Sequence, residues 1–126
     1  MTKRYTGGCR CGAVRYVLEG EPFKAGLCHC TDCRRETGSA FLYYADWLPS
    51  QITVTGQYQT YEGRSFCPRC GSSLFHLGDV QAEIAVGTLD QAPSALMPIR
   101  EGWIKRREPW LAAVAGAGQF REDTDV

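Results

Sequence analysis

The sequence predicts a mainly β domain carrying one short helix, and three observations predict it. Glycine recurs at short intervals (Gly7-Gly8, Gly12, Gly20, Gly38, Gly56, Gly63, Gly71, Gly78, Gly87), cutting the chain into segments too short for most helices. The segments between are rich in β-branched and aromatic residues, which suit a pleated, half-buried surface. Only one stretch, residues 31–37, carries both a helix start and a helix stop.

Residues 13–19 set Val14, Tyr16 and Leu18 on one face and Arg15 on the other, the period of a strand. Residues 31–37 form the short helix, with Thr31 expected to cap it, Asp32 in the first turn and Gly38 ending it. Residues 39–45 are apolar on both faces and predict a central strand. Residues 51–55 and 58–62 flank Gly56-Gln57 and predict a hairpin, with Ile52, Val54, Tyr58 and Tyr61 available to pack. Residues 73–77 and 82–89 are further strands, separated by a turn at Gly78-Asp79. The polar end, residues 121–125, is expected to fray.

At 126 residues, with no internal repeat or low-complexity segment, the chain is expected to form a single domain over residues 1–126. Its 44% hydrophobic content supports an ordinary globular core, so metal would supplement that core and need not replace it. Fourteen basic residues balance fourteen acidic ones, which argues against nucleic acid as a partner, although Lys105, Arg106 and Arg107 make a local basic patch. No segment approaches the ~20 apolar residues that span a bilayer. The basic residues near the start are followed by no apolar run of the secretory kind. A cytoplasmic, reducing location is the resulting expectation. There, seven closely spaced cysteines point to metal rather than to disulfides, and the odd count agrees.

Cys67-Pro68-Arg69-Cys70-Gly71 is a C-x-x-C knuckle, in which a tight turn presents two sulfurs to one ion. Cys9 and Cys11, two residues apart in an extended chain, also point the same way. Together the four would make a closed tetrahedral zinc shell with Zn–S of about 2.3 Å. A C-x-x-C redox pair or unrelated buried thiols are the alternatives.

Cys28-His29-Cys30-Thr31-Asp32-Cys33 overlaps both spacings, so one ion can take three sulfurs from six consecutive residues. Strand geometry turns His29 away from Cys28 and Cys30. If the helix begins at Thr31, Cys33 lies near its positive end, where a thiolate is favoured. Three protein ligands without a fourth are the signature of a catalytic zinc. Asp46 or His76 could instead close the site, or two of its sulfurs could be oxidised together. Arg34 and Arg35 are expected in solvent, within reach of an anionic substrate entering beside the triad.

The segments Gly7-Gly8-Cys9-Arg10-Cys11-Gly12-Ala13-Val14-Arg15-Tyr16, Cys28-His29-Cys30-Thr31-Asp32-Cys33-Arg34, Gly38, and Cys67-Pro68-Arg69-Cys70-Gly71 resemble the glutathione-dependent formaldehyde-activating enzymes, the centromere protein V/GFA domain family. The resemblance runs from about residue 7 to residue 120. It implies a β-tent fold of zinc-ribbon-like antiparallel sheets. It also implies a structural zinc on Cys9, Cys11, Cys67 and Cys70 and a second zinc on Cys28, Cys30 and Cys33. The implied activity is that of a carbon–sulfur lyase, forming S-hydroxymethylglutathione from glutathione and formaldehyde. The chain departs from the family near its end: Glu101 stands where members often carry histidine, and the tail motif reads Gly116-Ala117-Gly118-Gln119-Phe120.

The function expected is therefore that of a zinc-dependent enzyme acting on a thiol and an aldehyde or on their adduct, with Cys28, Cys30 and Cys33 at the reacting site. The rival is a non-enzymatic zinc-binding module that docks another protein.

Overall fold

The computed structural model describes residues 3–124. Its strands are β1 (Arg4–Gly8), β2 (Arg15–Glu19), β3 (Lys24–Cys28), β4 (Leu42–Trp47), β5 (Ile52–Thr55), β6 (Gln59–Tyr61), β7 (Arg64–Phe66), β8 (Ser73–Leu77), β9 (Ala82–Ala85), β10 (Arg100–Gly102) and β11 (Gly118–Gln119). The helix, α1 (Thr31–Thr37), follows the cysteine triad directly, and the mainly β class holds.

Two sheets carry these strands. The smaller has the order β1-β2-β5, and the larger runs β11-β10-β3-β4-β9-β8-β7-β6. Most pairs are antiparallel, but β10 lies parallel to both β3 and β11. Alternation along the strands builds the core. Tyr16 and Leu18 from the small sheet, with Val14 just before β2, meet Ala45, Trp47, Phe75 and Ile84 from the large one, all fully buried or nearly so. Edge-on aromatic contacts, Tyr5 on Trp47 at 5.6 Å and Tyr16 on Phe75 at 6.1 Å, knit the layers together. The other face of the large sheet is left for the polar groups described below.

Several expectations need correction. The hairpin at Gly56-Gln57 does not form: β5 pairs with β2, whereas β6 pairs with β7 in the other sheet. Gly56 is a crossing point rather than a hairpin turn. Its φ is +93°, and a Cβ there would lie 1.9 Å from the Ala13 carbonyl oxygen. The central strand lies at 42–47, not 39–45, and the strand expected over 82–89 ends at Ala85 in a 3-10 turn over Val86–Thr88. The helix is capped by Cys30, not Thr31, while Gly38 ends it in the left-handed conformation as expected. The tail through Thr124 is not frayed. Trp103 N donates to the Glu122 carbonyl at 2.7 Å, Trp103 Nε1 donates to Asp123 at 2.7 Å, and Lys105 pairs with Glu122. Asp125 lies outside the described residues. No described helix is long and apolar enough to cross a membrane.

Candidate metal centres

Two tight turns build the first cluster. Gly12 N donates to the Cys9 carbonyl at 3.1 Å and Gly71 N to the Cys67 carbonyl at 2.8 Å, so each turn presents a pair of sulfurs. Arg10 N donates to Ser72 Oγ at 3.0 Å and holds the turns against each other. The Sγ atoms of Cys9, Cys11, Cys67 and Cys70 all lie within 4.8 Å of one another. Cys9 to Cys11 is 3.6 Å and Cys11 to Cys67 is 3.7 Å. A tetrahedron with 2.3 Å metal–sulfur bonds has edges of about 3.8 Å, so the set fits one zinc-sized ion.

Electrostatics agrees with that fit. The Ser72 hydroxyl, aided by the Ser72 and Cys11 amides, draws the Cys70 thiol down to about 5. Cys11 is pushed up to about 11: the Ala13 amide opposes this, but burial and the neighbouring sulfurs outweigh it. Adjacent thiolates cannot all ionise without a cation among them.

The second cluster is more local. Cys28 ends β3, Cys30 caps α1 by accepting from Cys33 N at 3.3 Å, and Cys33 is buried in the first turn. Their three Sγ atoms lie within 4.8 Å of one another. No fourth Cys, His, Asp or Glu among the described residues joins them at that distance. Hydrogen bonding to the Cys28 sulfur and burial both push the Cys33 thiol up, so these sulfurs too would ionise together only around a cation. The two side chains that could have closed the site do not join the three sulfurs within that distance. Asp46 is buried beside Lys24, 3.6 Å away. His76 is held between Glu36 at 3.2 Å and Glu83 at 3.1 Å.

The triad opens into a cavity of about 240 Å³, walled in part by Leu42, Tyr44, Arg64, His76, Glu83 and Trp103. Strand register places Glu83 and His76 in that wall and continues a polar row beyond it. Lys24 faces Asp46 across β3 and β4, Asp46 faces Glu83 across β4 and β9, and Glu83 faces His76 across β9 and β8. Facing residues share a sheet face, so the four make one ionisable row on the side where Cys28 lies. Burial, reinforced by the charge of Glu83, pushes the Asp46 carboxyl up to about 7.

A family model for the glutathione-dependent formaldehyde-activating enzymes matches residues 4–106. The chain belongs to that family. Among curated relatives, an uncharacterized lyase of Schizosaccharomyces pombe is 29% identical over 76 residues, covering 56% of this chain and 56% of that protein. A protein of Halomonas elongata, provisionally named a glutathione-dependent formaldehyde-activating enzyme, is 30% identical over 83 residues, covering 55% of this chain and 53% of that one. The chain spans about half the length of these curated relatives. A crystal structure of a Rhodobacter sphaeroides protein shares the fold, with a TM-score of 0.55 at 23% identity over 69% of this chain and 89% of that one.

Within this glutathione-dependent formaldehyde-activating enzyme fold, Glu101, where the resemblance implies a histidine, faces away from the triad. Glu101 pairs with Leu27 in register and so points to the face opposite Cys28. There Glu101 Oε1 meets His29 Nε2 at 2.8 Å, and its Oε2 accepts from Val114 N at 2.7 Å and Gln119 Nε2 at 3.0 Å. His29 stands edge-on to Phe41, with ring centroids 5.7 Å apart. His29 is thus turned from the triad as expected, while Glu101 lines a different part of the molecule from the cavity. Arg34 is bound to Glu108 and to the Arg106 carbonyl, and Arg35 is exposed.

Sequence reading missed Arg64, Glu83, Trp103 and Asp123. Arg64 carried a usable signal, because it stands three residues before Cys67 on the strand that feeds the knuckle. The other three enter only through cross-strand register and through the return of the tail, neither of which is written locally.

Proposed function

We propose that the protein is a zinc-dependent carbon–sulfur lyase-type enzyme that forms or cleaves a thiol–aldehyde adduct, such as S-hydroxymethylglutathione from glutathione and formaldehyde. The observation that carries this is the triad of Cys28, Cys30 and Cys33, which opens into a cavity and which, among the described residues, no fourth Cys, His, Asp or Glu joins within 4.8 Å. Cys9, Cys11, Cys67 and Cys70 would hold a structural zinc that pins the start of the chain to the β7–β8 turn. Bound at the triad, zinc would supply affinity for a substrate sulfur and favour its thiolate form at neutral pH.

The chain's own residues do the rest. Leu42 and Trp103 line the cavity and would limit water around the sulfur. The Cys30 side chain, fixed by the Cys33 N–H, sets the triad geometry at the helix start. The small cavity favours a small aldehyde beside the sulfur, while the rest of a thiol substrate extends outward past Thr31 and Arg106 through an adjoining cleft.

The test is exchange NMR on glutathione and ¹³C-formaldehyde at equilibrium with zinc-loaded protein. Adduct exchange should accelerate with wild type and fall to the uncatalysed rate with Cys30→Ala; equal rates would sink the glutathione version. The rival docking module draws on Phe23, Leu48 and Val80, which are 50%, 52% and 77% exposed around one cleft. On that reading, added thiols leave the spectrum of cobalt-loaded protein unchanged.

A further inference from the structure

We propose that Arg64 is a catalytic residue of this site, whose guanidinium binds the oxygen that becomes negatively charged when sulfur adds to the aldehyde carbon. The inference rests on the thiol–aldehyde reading above and adds to it a residue and a role.

Arg64 begins β7, and its side chain lies in the wall of the triad cavity. One of its terminal nitrogens, Nη1, is 3.5 Å from Cys33 Sγ and also binds the Glu36 carboxylate. That bond anchors the guanidinium at Nη1, and Glu36 is itself held by His76 at 3.2 Å. Among the described residues, no hydrogen bond occupies Nε or Nη2 of Arg64. The group is therefore an anchored cation at the edge of the triad with donors to spare. Only 26% of the side chain is exposed, which keeps its field strong across the cavity.

The geometry suits a developing oxyanion. In the forward step the sulfur lone pair forms the C–S bond, and the C=O π pair moves onto oxygen. The oxygen then takes a proton from water, while the proton lost by the thiol has gone to solvent. Cleavage runs the same steps backwards. An oxygen two bonds from a sulfur bound at the triad lies within reach of a group 3.5 Å from Cys33. Preorganised donors aimed at such charge each contribute about 10²- to 10³-fold in rate. Arg64 cannot be deprotonated at working pH, so its part is electrostatic rather than acid–base.

A binding experiment separates this role from a structural one. Thioglycolate carries carboxylate oxygens three bonds from sulfur, one bond beyond the adduct's oxyanion, and 2-mercaptoethanol carries a neutral hydroxyl at that same distance. Each thiol is titrated into cobalt-loaded protein and followed by the change in the sulfur-to-cobalt absorption bands. Wild type should bind thioglycolate ~10-fold or more tightly than 2-mercaptoethanol, as one charge-assisted bond implies. Arg64→Met should lose that preference while still binding 2-mercaptoethanol, and Arg64→Lys should recover part of it. In exchange NMR with glutathione and formaldehyde, Arg64→Met should lower kcat about 100-fold with little change in the thiol KM. Equal affinities of the two thiols in wild type, or an unchanged preference in Arg64→Met, would overturn the role of Arg64 and leave the thiol site standing. No spectral response to either thiol in wild type would overturn both.

Discussion

The Glu101–His29 pair gives the sharpest test of the packing behind the triad. Replacing Glu101 with alanine removes the partner of three donors: His29 Nε2 at 2.8 Å, Val114 N at 2.7 Å and Gln119 Nε2 at 3.0 Å. Glu101 and His29 are each only 1% exposed, so water cannot simply replace the lost carboxylate. Gln119 is exposed and can turn to solvent, which leaves the buried His29 Nε2 and the part-buried Val114 N without a partner, at roughly 1–3 kcal/mol each. The expected loss is ~2–5 kcal/mol, the cost of leaving these two donors unpaired. Glu101→Gln should lose less, about 1–2 kcal/mol, because one of its two oxygens survives as an acceptor. Urea unfolding of the zinc-loaded protein at fixed free zinc, followed by tryptophan fluorescence, measures both variants. A double-mutant cycle with His29→Ala should show a coupling of at least ~1 kcal/mol. A loss under ~1 kcal/mol for Glu101→Ala, or no coupling, would refute the reasoning.

Three further outcomes follow from the structure. Gly56→Ala should destabilise by more than ~2 kcal/mol in the same unfolding assay, since its Cβ would meet the Ala13 carbonyl at 1.9 Å in a left-handed conformation. Asp46 has a folded value near 7 against 3.8 unfolded, so the folded state binds its proton more tightly. Its contribution is complete below about pH 4 and is lost as pH rises through 7, by at most ~4 kcal/mol. Asp46→Asn should flatten that fall between pH 5 and 8, and a wild type equally stable at both ends would contradict it. Chelation that empties the four-cysteine site should lower the melting temperature far more than loss of metal from the triad, because Cys9 and Cys67 sit in the main core. Comparing Cys67→Ser with Cys28→Ser by calorimetry checks this.

Local chemistry made the cysteine clusters and the helix legible. Spacings of one and two residues specify turns, and Gly38 ends a helix by its own backbone freedom, so both can be read without knowing the fold. The strand at Ser73–Leu77 likewise shows its pattern within five residues. The false hairpin at Gly56-Gln57 shows where such reading stops. Two strands and an intervening glycine look alike whether they pair with each other or part into different sheets, and only the Ala13 carbonyl packed against Gly56 distinguishes the two. β10 and β11, only three and two residues long, owe their place to parallel pairing, β10 against β3, more than seventy residues earlier, and β11 against β10. For the same reason the polar row that ends in the cavity wall escaped notice. Lys24, Asp46, Glu83 and His76 are scattered in sequence and become a row only through register. Cys30 took the capping role given to Thr31 because its sulfur already lies over the first turn, where it accepts from Cys33 N.

The central claim is that the triad of Cys28, Cys30 and Cys33 offers its metal to a substrate sulfur. Zinc X-ray absorption on the fully loaded protein, with and without glutathione, tests this directly. One site with four sulfurs and one with three predict a mean of about 3.5 sulfurs per zinc, rising to about 4 as glutathione displaces a light-atom ligand. A mean that stays the same on adding glutathione would contradict the account.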